Sequence, residues 1–193
     1  VHHGLFWSGL QPLVGAHEAR VRALFDADIA LYSAHLPLDA HSTFGNSALL
    51  AKTLGLHATA GFARHEQIHC GVRGEAELDT DELVQRITAW AAPLGHHTVA
   101  SRVPAAHRTR RWAICSGSGA QVETLREAYD AGIDTLIVGE GPHWSAVEAE
   151  EHGLVIVYAG HYATETLGVR SLAEHVGTTF GLPWTFVHAP TGL

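Results

Sequence analysis

An α/β fold with a mostly parallel sheet is what the chain predicts, and three features carry that prediction. In the last third, short apolar runs at 112–115, 133–138 and 154–158 alternate with helical patterns at 121–131, 143–151 and 165–176. Runs this short suit strands buried on both faces, and strand–helix alternation at this spacing builds βαβ units. Between the first such strand and its helix, Ser116-Gly117-Ser118-Gly119 supplies a tight turn.

The remaining elements follow in chain order. After a loop from Gly4 to Pro12, residues 13–28 read as a helix with Val21, Leu24 and Phe25 on one face. Ile29 to Ser33 is an apolar run suited to a buried strand. It leads into the loop His35-Leu36-Pro37-Leu38-Asp39-Ala40-His41, where Pro37 interrupts regular structure. Gly45 and Asn46 offer a cap for a brief helix carrying Leu49, Leu50 and Leu54, stopped by Gly55. Ile68 to Val72 and His97 to Val103 are weaker strand patterns. Between them, Asp79-Thr80-Asp81-Glu82 places a cap and negative charge ahead of Leu83, Val84, Ile87 and Ala91, an amphipathic helix. In the last helix Val169, Leu172, Ala173 and Val176 are expected to face inward, and Trp184 to His188 to close the fold as a strand. Sites in such sheets lie at the carboxyl ends of strands, where the 35–41 loop and the Ala159-Gly160-His161 turn fall.

Composition narrows the function. Of 193 residues, 46% are hydrophobic and 17% charged, which is globular, and the length fits one compact domain or two small interlocked lobes. A formal charge of -8, with Lys52 the only lysine, argues against nucleic acid and anionic membranes as partners. The Arg108, Arg110, Arg111 cluster is the one basic patch. Cys70 and Cys115 lie far apart without a CxxC spacing, which argues against a disulfide scaffold or a thiolate zinc site and for free thiols in a reducing cytoplasm. No apolar run reaches the roughly 18–20 residues that span a bilayer, and no signal peptide is visible. The chain opens at Val1-His2-His3 and contains no Met, so it reads as a segment of something longer.

Sixteen histidines make metal ligation the chemistry to examine. Imidazole nitrogen and carboxylate oxygen together suit zinc, manganese, iron, cobalt or nickel. His2 and His3 are adjacent, so in an extended segment one can serve each of two ions. His161 and Glu165 are four apart and share a face in a helix, and a carboxylate such as Glu165 can bridge two cations as a neutral imidazole cannot. Asp39 sits in a loop after a strand. Each has a plainer reading: a frayed terminus for the histidine pair, an Asx turn after Pro37 for Asp39, and a helix N-terminal carboxylate for Glu165. Glu140 and His143 follow a strand and are open between substrate contact and helix capping. The Ser116–Gly119 turn lacks a P-loop lysine and the full GxGxxG, so it reads as a turn rather than a phosphate cradle.

Three blocks together resemble the NIF-three-like family: HHGLFW at 2–7, LYSAHLPLDAH at 31–41 followed by GNSALLAKTLGL at 45–56, and AGHYATETLGVRSL at 159–172. ICSGSGA at 114–120 and LIVGEGPHWSA at 136–146 are similar to that family's second-lobe segments. These proteins are also catalogued as GTP cyclohydrolase type 2 homologs, hexamers with dinuclear metal centres. The resemblance implies two interlocked α/β lobes, residues 1–58 with 155–193 and residues 59–154, with the metal site in the cleft between them. It also implies roughly fifty to sixty residues ahead of the histidine pair, leaving the first lobe incomplete here. By position, it implies that His2 and His161 hold one divalent ion, His3 and Asp39 the other, and Glu165 both. His35 and His41 match loop histidines that would support the ligands or shuttle protons at a substrate. The activity implied is a metal-dependent hydrolase opening a guanine ring on a nucleotide through metal-activated water. The competing expectation is a non-catalytic metal-binding or regulatory ring.

Overall fold

The computed structural model describes residues 1–192. Its elements run α1 (Gly15–Asp26), α2 (Leu36–Asp39), α3 (Asn46–Thr53), β1 (Ala60–His65), β2 (Ile68–Asp79), α4 (Thr80–Ala91), β3 (Val99–Ala100), β4 (Arg108–Cys115), α5 (Val122–Asp130), β5 (Thr135–Val138), α6 (His143–Glu151), β6 (Val155–Tyr158) and α7 (His161–Phe180). All six strands join one sheet in the order β1-β2-β4-β5-β6-β3.

That sheet is mixed, not mostly parallel. Only β4, β5 and β6 run parallel, while β1 with β2, β2 with β4, and β3 with β6 pair antiparallel. The parallel trio is the part joined by helical crossovers. β1 and β2 are separated only by Glu66 and Gln67, a connection too short for anything but an antiparallel hairpin.

Alternation along the central strands divides the core between two faces. Trp112 and Ile114 of β4, Ile137 of β5, and Val155 and Val157 of β6 meet Leu50 of α3, Leu54 just after it, and Leu83 and Ile87 of α4. On the opposite face Ala113, Leu136, Val138 and Ile156 meet Leu125 and Ala128 of α5 and Ala149 of α6. With both faces covered, these strands have no polar side to show, which is why they read as unbroken apolar runs. The Asp79 carboxylate accepts from Glu82 N at 3.2 Å and caps α4 as its sequence predicts.

Several expectations fail, each for a physical reason. Residues 29–33 form no strand: the described residues offer them no neighbouring strand, and their backbone bonds are local or to the terminus, Ile29 N to Leu24 O and the Val1 amino group to Tyr32 O, with Ala34 N just beyond donating to Val1 O. α1 forms but buries none of its residues, and Phe25 on its expected inner face is 81% exposed. The 97–103 strand shrinks to the two residues of β3. Pro37 does not break structure; it sits in the first turn of α2, where its missing N–H has no helical partner to lose. Residues 184–188 form no strand and lie along α7 by side-chain contact, with Arg170 over the Phe186 ring and Tyr162 Oη 3.1 Å from His188 Nδ1. In α7 the buried positions are Ala163, Thr164, Thr166, Gly168 and Gly177, while Val169, Leu172 and Ala173 are half-buried and Val176 is exposed.

Burial therefore ranks the apolar side chains. Leu83→Ala, at a fully buried position, should cost about 2–5 kcal/mol. Phe25→Ala should stay within about 0.5 kcal/mol in this chain. Urea unfolding of the two variants side by side checks the contrast, and equal losses would contradict it.

Candidate metal centre

The carboxyl ends of β4, β5 and β6 lie together at one edge of the sheet, and each is followed by a residue that matters there. After β4 comes the Ser116–Gly119 turn, after β5 Glu140, and after β6 His161 at the first position of α7. The N-terminal segment brings His2 and His3 to the same edge, and α2 brings Asp39.

One carboxylate organises the donors. Glu165 Oε1 lies 3.6 Å from His2 Nε2, while its Oε2 lies 3.3 Å from His3 Nε2 and 3.1 Å from His161 Nε2. His2 Nε2 is also 3.3 Å from Asp39 Oδ2. The distances thus group His2 with Asp39, and His3 with His161, whereas the resemblance implied the crossed pairing. His35 belongs to the same neighbourhood, its ring centroid 4.8 Å from those of both His2 and His3. His41 does not reach the cluster. Its Nδ1 accepts from the backbone amides of Thr43 and Phe44, and its ring lies against Phe44 beside a different cavity.

Supporting contacts fix these groups. His2 Nδ1–H donates to Ala34 O at 2.9 Å, and His161 Nδ1–H donates to Glu140 Oε1 at 2.8 Å. Each bond selects the tautomer whose Nε2 lone pair faces the cluster. Ser118 also donates to Glu140 Oε1. Asn46, fully buried, donates to Asp39 Oδ1 at 2.9 Å and accepts from Gly168 N at 2.7 Å, tying α2, α3 and α7 together. Gly117 has φ +64, and a Cβ there would lie 2.1 Å from Glu165 Oε1, so both its backbone and its lack of a side chain serve the carboxylate. Of these residues, Glu140 was open in the sequence between substrate contact and capping; it caps no helix, and its carboxylate accepts from His161 instead. Asn46 reads there only as a helix cap. Its signal is an amide that has Asp39 a short loop away. His143, by contrast, is exposed at the start of α6.

The donor set fits divalent metal. Nε2 of His2 and Nε2 of His161 are buried with no hydrogen-bond partner, although Asp39 Oδ2 and Glu165 Oε2 stand 3.3 Å and 3.1 Å from them. Ligand atoms of His3, His161 and Glu165 lie within 4.8 Å of one another, as do those of His2, His3 and His35. Three or four imidazoles with two carboxylates match zinc, iron, manganese, cobalt or nickel better than magnesium or calcium.

Charge is distributed unevenly over the imidazoles. The Glu165 carboxylate, with Glu140 behind it, pushes His161 up to about 9 although burial works the other way. For His2, burial opposes the charged form, but contact with Asp39 and the charges of Asp39 and Glu165 outweigh it, and the net shift is upward. Burial lowers His3 and His35, and their neighbouring histidines lower them further. Contact with His161 holds Glu140 below the usual carboxylate range. Beside the cluster opens a cavity of about 530 Å³, lined among others by His3, Trp7, His35, Cys70 and Glu165. The Trp7 indole stacks on His3 with ring centroids 4.7 Å apart.

Fold and site together define a mixed α/β protein with a histidine–carboxylate cluster at the carboxyl edge of its parallel strands. The chain belongs to the DUF34/NIF3 (NGG1p interacting factor 3) family, whose model matches residues 1–191. It is 40% identical over 196 residues to a GTP cyclohydrolase 1 type 2 homolog of Deinococcus radiodurans, covering 100% of this chain and 72% of that protein. The corresponding homolog of Halobacterium salinarum is 40% identical over 194 residues, covering 100% and 76%. Among solved structures, the protein ybgI, described as of unknown function, superposes with a TM-score of 0.86 at 34% identity over 100% of this chain and 75% of its own. A Thermus thermophilus protein follows at 0.81 and 36%, over 100% and 74%. Among the described residues no helix is long and apolar enough to cross a membrane, and both cysteines are free thiols.

Two side chains beside the donors give this geometry measurable consequences. Glu140→Ala removes the acceptor that orients His161 and should weaken metal binding about 10–100-fold, with little change in unfolding because the side chain is 41% exposed. Competition titration against a chelator, paired with thermal melts, checks it, and unchanged affinity would remove Glu140 from the site. Burial and then the Asp39 charge push the Cys70 thiol up to about 11. The thiolate is the reactive form, so at pH 8 Cys70 should alkylate about a hundredfold or more slower than free cysteine, with the rate climbing towards pH 11. Mass spectrometry of iodoacetamide time courses reads this directly.

Proposed function

We propose that the chain is a divalent-metal-dependent hydrolase acting through two neighbouring cations. In this reading His2 and Asp39 hold one, His3 and His161 hold the other, and Glu165 serves both. The observation that carries it is the split use of Glu165, one oxygen turned to His2 and the other to His3 and His161. Such a pair, when bound, lowers the pKa of water towards about 7 and clamps substrate oxygens.

The chain's own residues supply the rest. Asn46 holds Asp39 and Glu140 holds His161, so the donors need little reorganisation on binding. His35, kept below its ordinary pKa by burial, is neutral at pH 7 and has a ring nitrogen free to take a proton released at the cluster. His41, spent on its own turn, is not given that task. The cavity lies in the range of small-molecule sites and opens on the donors, which favours turnover over metal storage. The names of the relatives support a ring-opening hydrolysis of a guanine nucleotide as the reaction to test first. Assembly into a hexamer, a cytoplasmic location and the two-lobe division belong to the same proposal.

Elemental analysis of untagged protein, with and without Glu165→Gln, tests the shared carboxylate. Wild type should hold about two ions per chain, and the variant should lose occupancy at both positions. Loss of no more than one ion would rule out bridging. Failure of the metal-loaded protein to turn over any member of a nucleotide and phosphoester panel would sink the hydrolase reading and leave a metal-binding protein.

A further inference from the structure

We infer that Arg64 is a specificity residue of the cavity beside the donor cluster, reading an anionic group that the substrate carries away from its reacting centre. The inference rests on the hydrolase reading for the word substrate, but the recognition it describes is a binding event and is tested as one.

Arg64 lies near the tip of the β1–β2 hairpin, and with Ala63 and His65 it lines the same cavity as His3, His161 and Glu165. Among the described residues it is the only lysine or arginine to do so. Its placement is built rather than incidental. Ala63, only 6% exposed, takes φ +53 in the middle of β1, between the regular pairs Phe62–Gly71 and Arg64–His69. A residue with a Cβ avoids that conformation unless its surroundings impose it, and such outliers collect at binding sites. Here the surroundings do impose it. Arg64 N donates to Glu127 Oε2 at 2.8 Å, and Arg64 Nε donates to Glu66 O at 2.9 Å. These two bonds hold the backbone kink and one edge of the guanidinium.

The remaining guanidinium nitrogens have no carboxylate partner among the described residues; only Arg22, Arg86, Arg108 and Arg110 have one there, and of the arginines without one Arg64 alone lines this cavity. In a chain of net charge -8, an anchored but uncompensated arginine facing a cavity is a ready receptor for a phosphate, which its planar fork meets with two hydrogen bonds. Besides Asp39 and Glu165, the cavity is lined by one further carboxylate, Glu123, so away from the donor cluster Arg64 is the place on its wall that favours an anion.

The experiment is calorimetric titration of metal-loaded wild type, Arg64→Ala and Arg64→Lys with guanosine 5′-monophosphate and with guanosine, metal content being measured in each. Wild type should prefer the phosphorylated ligand. Arg64→Ala should cut that preference roughly tenfold without changing guanosine affinity or metal content, and Arg64→Lys should restore part of it. The preference should also shrink in high salt, because the arginine is exposed. A wild type with no preference, or a preference untouched by Arg64→Ala because the phosphate sits on the metals, overturns the inference. Turnover assays on the same samples separate the two readings. Absent turnover with an intact Arg64 effect defeats only the hydrolase, and turnover with Arg64-independent binding defeats only the anchor.

Discussion

Two carboxylates are held where water scarcely reaches them, with side-chain exposures of 7% for Asp39 and 13% for Glu165, and the surrounding structure is arranged to answer their charge. An unpartnered buried carboxylate costs several kcal/mol, so something cationic must stand beside each. Protonated imidazoles and divalent ions meet that need in the same place and therefore compete. Without metal, the four histidines divide into two pairs. His2 and His161 are shifted towards the charged form and balance the carboxylates, while His3 and His35 are shifted towards the neutral form. In the proposed reading, a metal ion would take the place of a proton at whichever of these imidazoles is charged, so binding would release protons.

The fold contributes convergence. Three parallel strands end at one edge, and the turns that follow them deliver the Ser116–Gly119 backbone, Glu140 and His161 within a few ångströms of each other. α7 adds Glu165 one helical turn beyond His161 on the same face. The first turn of α7 is tied to the loop after β4 by Gly117 N donating to Thr164 Oγ1 at 3.0 Å, which joins strand, turn and helix. Asn46 extends that link to α2 and Asp39. Gly168 lets it do so, because a Cβ there would lie 2.8 Å from the Asn46 side-chain oxygen.

What the sequence displayed of this followed the strength of local signals. The α/β alternation from Trp112 onward was legible because strands covered on both faces leave unbroken apolar runs, and the β5, α6 and β6 spans matched within two residues. Strand direction was not legible in the same way. Periodicity reports which face a residue takes but not which neighbour it pairs with, so β2 and β3 were read in part as strands while their antiparallel pairing was missed, and β1 was not read at all. Ile29 to Ser33 and the apolar face of α1 carried correct patterns for buried elements, yet nothing in the described residues covers them. His2, His3, Asp39, His161 and Glu165 were singled out by residue type and spacing and paired by the family resemblance, and the fold brings all five together. Glu140, Asn46 and Arg64 depend on contacts between segments far apart in sequence, and no local spacing encodes those.

In the proposed reading the two metal positions are physically unequal, and the inequality follows from the same packing. The His2–Asp39 side is the buried one: both side chains are 7% exposed, and each has a further hydrogen bond, to Ala34 O and from Asn46. The His3–His161 side is wetter, with side-chain exposures of 27% and 23%, and Trp7 is stacked over His3 at the cavity wall. A cation on the buried side exchanges slowly, because leaving it would strand two desolvated groups. One on the open side meets solvent and substrate alike. Catalytic duty would then fall on the His3–His161 position, with the His2–Asp39 position serving to hold Glu165 in place.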